Sequence, residues 1–81
     1  VTTAPAPTFG DNLRTTRQSL GFTQSRLAEI SGVDRVRIVR IEAGSYQAAA
    51  DEIVRLATAL RAPLTQLFYR TARPFEGLAV R

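Results

Sequence analysis

Apolar residues along this chain recur at helical spacing, and the polar residues between them fall where helices start and stop. Ile53, Leu56, Ala57 and Leu60 stand at i, i+3, i+4 and i+7, the stripe of a surface helix laid on a core. A first helix is predicted over about Phe9 to Leu20. Thr8 and Asp11 resemble a capping box with Asp in place of Glu, Gly21 ends the segment, and Phe9, Leu13 and Leu20 face the core. Thr23 is the N-cap of a second helix ending near Ser31, with Leu27, Ala28 and Ile30 as its apolar residues. Asp34 caps a third, which closes at Gly44. Pro63 suits the first turn of a short fifth helix with Leu64, Leu67 and Phe68 on one side. The pattern predicts an all-α fold of five helices within residues 9–70. A flexible Thr/Ala/Pro arm precedes it at 1–8, and a tail follows at 71–81, where Arg73, Pro74 and Gly77 break regularity.

The stretch from Gln24 to Ile41 is the most specific. Ala28 is small where two helices would touch, Gly32 sits in the turn, and Val33, Ile38 and Ile41 supply an apolar lock. That spacing predicts a helix-turn-helix. At about 100° per residue, Asp34, Ile38 and Ile41 share the core side of the third helix. Arg35, Val36, Val39 and Arg40 then point outward, with Arg37 on the flank. In a major groove Arg35 and Arg40 suit guanine edges and the two valines suit thymine methyls, while Arg37 meets phosphate. The competing readings are solvated charge for the arginines and partial burial for the valines. In the loop after Gly44, Ser45, Tyr46 and Gln47 can donate hydrogen bonds to phosphate without adding charge.

Composition fits this picture and removes several others. Eleven cations, all Arg, oppose seven acids for a net charge of +4, and the pI is about 11.1. Uniform use of Arg follows from genome base composition or from selection for guanidinium chemistry on phosphate and guanine. Eighty-one residues make one domain, able to bury only roughly 60% of its unfolded surface. A second protomer is the most available source of further burial. With neither Cys nor His there is no disulfide and no structural zinc, and no metal or cofactor is expected. The absence of Lys as well leaves no ordinary general base near neutrality and no strong nucleophile, so an enzyme is not expected. No apolar run approaches the ~20 residues of a membrane span, and residues 1–8 lack a secretory signal's basic start and apolar core. A cytoplasmic protein is expected.

The run LRTTRQSLGFTQSRLAEISGVDRVRIVRIEAG, followed by an amphipathic helix and PLTQLF, resembles the Cro/phage-repressor type (XRE family) of helix-turn-helix domain. The resemblance covers about Phe9 to Phe68. It rests on Thr23-Gln24, Leu27-Ala28, Gly32 and the Ile41-Glu42-x-Gly44 ending, and it implies a lambda-repressor-like five-helix bundle. It implies that Gln24, at the start of helix 2, donates to a DNA phosphate; Thr23 caps that helix and can do the same. It also implies an ion pair between Arg17 and Glu42 joining helix 1 to the end of helix 3, whose breakage costs roughly 3–5 kcal/mol if the pair is fully buried. The dimer interface of many relatives maps onto Leu64, Phe68 and Tyr69. Phe75 and Leu78, apolar and beyond the bundle, are candidates to extend it. One departure is the loop reading Ser45 to Ala50, which lacks the family's basic residues and its Ser or Thr cap for helix 4, a loss of about 1 kcal/mol.

The expected partner is double-stranded DNA, read as an inverted repeat by a homodimer with helix 3 in the major groove, and the expected role is transcriptional regulation as a repressor. The alternative is a protein-interaction module or an antitoxin that binds a partner protein and autoregulates its promoter.

Overall fold

The structure, a computed structural model, describes residues 8–68, which form five helices and no strand. These are α1 (Phe9–Ser19), α2 (Gln24–Ser31), α3 (Arg35–Ala43), α4 (Ala50–Leu60) and α5 (Leu64–Phe68). Of the residues expected at a dimer interface, Tyr69, Phe75 and Leu78 lie outside the described residues.

Capping chemistry sets several of these boundaries. The Thr8 hydroxyl accepts the Asp11 N–H at 3.2 Å, and the Asp11 carboxylate accepts the Thr8 N–H at 3.0 Å. That backbone donor, followed by the Thr8 hydroxyl and then the charge of Arg14, holds the Asp11 carboxyl below its ordinary value. Thr23 caps α2 through the Arg26 N–H, and Asp34 caps α3 through the Val36 N–H, each at 3.0 Å. Gly32 and Gly44 end α2 and α3 in the left-handed conformation, where a glycine carries no Cβ penalty. Ala49 has no side-chain acceptor to offer α4. Only half a capping box forms there, in which Glu52 accepts the Ala49 N–H at 2.9 Å.

Leu13, Leu27, Val33, Ile38, Ile41, Leu56 and Leu60 make the core. Leu67 is also fully buried and brings α5 onto the bundle. Three inward assignments are corrected. Leu20 is 49% exposed and Ile30 is 37% exposed, because each sits at or near a helix end, past the reach of the neighbouring helix. Asp34 is exposed, since its carboxylate turns back on the first turn of α3 as a cap.

Three contacts of α1 join it to α3 and α5. At Gly10 its backbone lies against α3, where a β-carbon would come within 2.1 Å of the Ile41 carbonyl oxygen. Asn12, 1% exposed, donates its side-chain amide to the Leu67 carbonyl. It thereby satisfies a C-terminal carbonyl of α5 that has no partner within its own helix. Phe9 stacks obliquely on Phe68, with ring centroids 5.1 Å apart.

Candidate nucleic-acid interface

The turn between α2 and α3 is tight because its backbone groups are satisfied locally. The Gly32 N–H reaches the Ala28 carbonyl at 2.9 Å, and the Val33 N–H is taken by the Ser31 hydroxyl at 3.1 Å. Val33 then buries itself in the core, which fixes the direction in which α3 leaves. An open concavity lies between the starts of the two helices, bordered by Thr23, Arg26, Gly32, Asp34 and Arg35.

On α3, Ile38 and Ile41 face inward, while Arg35, Val36 and Arg40 are exposed on the other side. Val36 is 52% exposed, an apolar side chain outside the core cluster. Val39 is half-buried and lies at the edge of this surface. Among the described residues, neither Arg35 nor Arg40 takes part in an ion pair.

Arg37, expected at phosphate, makes contacts within the protein while its side chain stays 42% exposed. Its guanidinium lies over the Tyr46 ring, 4.4 Å from the centroid. The same group donates to the Tyr46 hydroxyl at 2.7 Å and to the Glu52 carboxylate. These contacts tie α3 to the loop after Gly44 and to the start of α4. Tyr46 is correspondingly half-buried against the core, while Ser45 and Gln47 stay exposed. The Ser45 hydroxyl is in contact with the Arg40 carbonyl at 3.3 Å.

At the other end of α3, Glu42 is 4% exposed and Arg17 is 8% exposed. Arg17 meets the Glu42 carboxylate with two donors, Nε at 2.7 Å and Nη2 at 3.0 Å. Its Nη1 donates to the Phe22 carbonyl at 2.7 Å. Gln24 adds a further donor, Nε2 to Glu42 Oε1 at 3.1 Å. Thr23, exposed at the N-cap of α2, stands next to Gln24.

Sequence reasoning missed Gly10, Asn12 and Glu52. The signal for Glu52 was present as an acid in the first turn of α4, but its pairing with Arg37 depends on how α3 and α4 pack. On the α4–α5 side, Leu64 is 46% and Phe68 45% exposed, and Val54 is 54% exposed. Val54 and Leu64 border one surface depression with Thr58, Ala62 and Pro63. No helix among the described residues is long and apolar enough to cross a membrane.

A family model described as a helix-turn-helix domain matches residues 8–67. Similar solved structures include two regulators. The restriction-modification controller protein C.AhdI from Aeromonas hydrophila is 38% identical with a TM-score of 0.72, over 74% of this chain and 91% of that one. A hypothetical transcription factor, NHTF, from Neisseria is 27% identical with a TM-score of 0.74, over 98% of each chain. No curated protein matches the chain.

Proposed function

This chain belongs to the helix-turn-helix domain family, and from that premise we propose that it is a DNA-binding transcriptional regulator that represses by occupying an inverted-repeat operator as a homodimer. The observation that carries this reading is the outer face of α3. Arg35, Val36 and Arg40 are exposed together, and the two arginines have no acidic partner among the described residues. An arginine fork can take O6 and N7 of a guanine, and a valine at the same depth can meet a thymine methyl. Val39, at the edge of that face, adds apolar contact. The likeness to a controller protein and a transcription factor supports regulation as the use of this surface.

Phosphate contacts come from Thr23 and Gln24 at the positive end of α2, and from Ser45, Tyr46 and Gln47 beyond α3. Arg37 contributes by holding that loop. The side chains that meet phosphate are all neutral, so a single protomer binds weakly and two copies are needed for a specific complex. Leu64 and Phe68 supply the described part of the interface and Val54 extends it, with Tyr69, Phe75 and Leu78 as further members. Residues 9–70 thus form the DNA-binding domain, flanked by the arm at 1–8 and the tail at 71–81.

Selection of binding sites from randomised duplex DNA, run in parallel with wild type and Arg40→Ala, tests the reading. The expected result is an inverted repeat with half-sites about one helical turn apart, altered by the substitution at a single base position. Salt-sensitive binding indifferent to sequence would reduce the arginine face to general affinity and overturn specific readout.

A further inference from the structure

We infer that Glu42 positions Gln24 for the DNA backbone, so that the buried Arg17–Glu42 pair sets the phosphate-facing end of α2 as well as joining α1 to α3. The inference rests on the DNA-binding reading above. A carboxylate only accepts hydrogen bonds. Glu42 Oε1, already taken by Arg17 Nη2 at 3.0 Å, also accepts from Gln24 Nε2 at 3.1 Å. The opposite amide orientation would set the Gln24 carbonyl oxygen against an ionised oxygen in a buried setting, where repulsion is strong. Glu42 therefore determines which end of the carboxamide turns inward. The nitrogen keeps its second hydrogen for an acceptor outside, which is what a phosphate oxygen requires. Without Glu42 the amide is free to rotate and to present its oxygen to the phosphate instead.

Arg17 acts on the same place through the backbone. Its Nη1 holds the Phe22 carbonyl at 2.7 Å, one residue before the N-cap Thr23. The linker entering α2 and the first side chain of α2 are thus both fixed to one charged pair, and that pair terminates on the helix that carries Arg35 and Arg40. Glu42 and Arg17 touch no nucleic acid in this scheme; they are positioning residues.

A double-mutant cycle on the selected operator tests this. Affinity is measured well below each melting midpoint for wild type, Gln24→Ala, the apolar pair replacement Arg17→Met/Glu42→Leu, and the triple variant. Buried ion pairs often tolerate well-packed apolar replacement. Gln24→Ala is expected to weaken binding about tenfold, the scale of one hydrogen bond to a charged group. The pair replacement should cost a similar factor, and adding Gln24→Ala to it no more than about twofold. A full tenfold loss from Gln24→Ala in both backgrounds would overturn the inference. Should the pair variant not fold, hydrogen exchange at the Gln24 side-chain amide of the wild type decides. One Nε2 hydrogen is expected to exchange more slowly than those of exposed Gln18; equal rates overturn the inference. If the wild type selects no DNA sequence, the reading under Proposed function fails, while the exchange rates still decide whether Glu42 holds Gln24.

Discussion

A β-carbon on Gly10 would meet the backbone of α3 at the Ile41 carbonyl, a group that cannot rotate away as a side chain can. In an exposed helix interior, replacing Gly by Ala stabilises by about 1 kcal/mol. Here the helices must separate, and overpacking of this kind costs about 1–3 kcal/mol. Gly10→Ala is therefore expected to lower the urea midpoint without changing the slope of the transition; a raised midpoint would mean that α1 and α3 do not touch as described. Residues of this kind are the least legible from sequence. Nothing in the sequence pattern singles out Gly10 or Asn12, and Arg37 reads as a phosphate contact. Each owes its role to what another helix brings opposite it: the Ile41 carbonyl, the Leu67 carbonyl and the Glu52 carboxylate. Arg35, Val36 and Arg40, by contrast, follow from the angular position of Ile38 and Ile41 alone.

At the scale of the element, α4 starts without a capping side chain although the rest of the capping box is in place. Glu52 already accepts the Ala49 N–H, so Ala49→Ser supplies only the missing acceptor for the N–H groups of the first turn. A gain of about 1 kcal/mol is expected, seen as a rise of about 4–8 °C in Tm by calorimetry; no rise would show that Ala49 is not the N-cap. The five helices were legible because caps and glycines mark most of their ends and the apolar spacing marks their faces. Periodicity misplaced Leu20 and Ile30, since it assigns a direction but not whether a neighbouring helix extends far enough to cover it. The end of α4 carries no glycine signal either. Arg61 closes it at φ 53°, a left-handed position that nothing in its residue type announces.

For the molecule as a whole, eleven arginines against seven acids favour an anionic partner, but Arg17 is buried in its pair with Glu42 and Arg37 is engaged by Glu52, whereas the pairs of Arg26 and Arg55 are exposed. The proposed dimer restores what one protomer lacks. Sedimentation at micromolar concentration is expected to give twice the 8.9 kDa chain mass. Leu64→Asp is expected to return the monomer and to weaken operator binding, because it places a charge in the centre of an apolar contact. A monomer in both cases, with and without DNA, would remove dimerisation from the mechanism.

The double anchorage of α1 has a further consequence. On one side α1 is joined to α3 through Gly10 and the Arg17–Glu42 pair; on the other it holds α5 through Asn12 and the Phe9–Phe68 stack. Among the described residues, packed contacts of α1 thus connect the helix proposed to read bases with the helix proposed to bring two copies together. The spacer between operator half-sites is then part of the code. One added base pair shifts a half-site by about 3.4 Å and turns it by about 34°, and a body braced in this way has no hinge with which to follow.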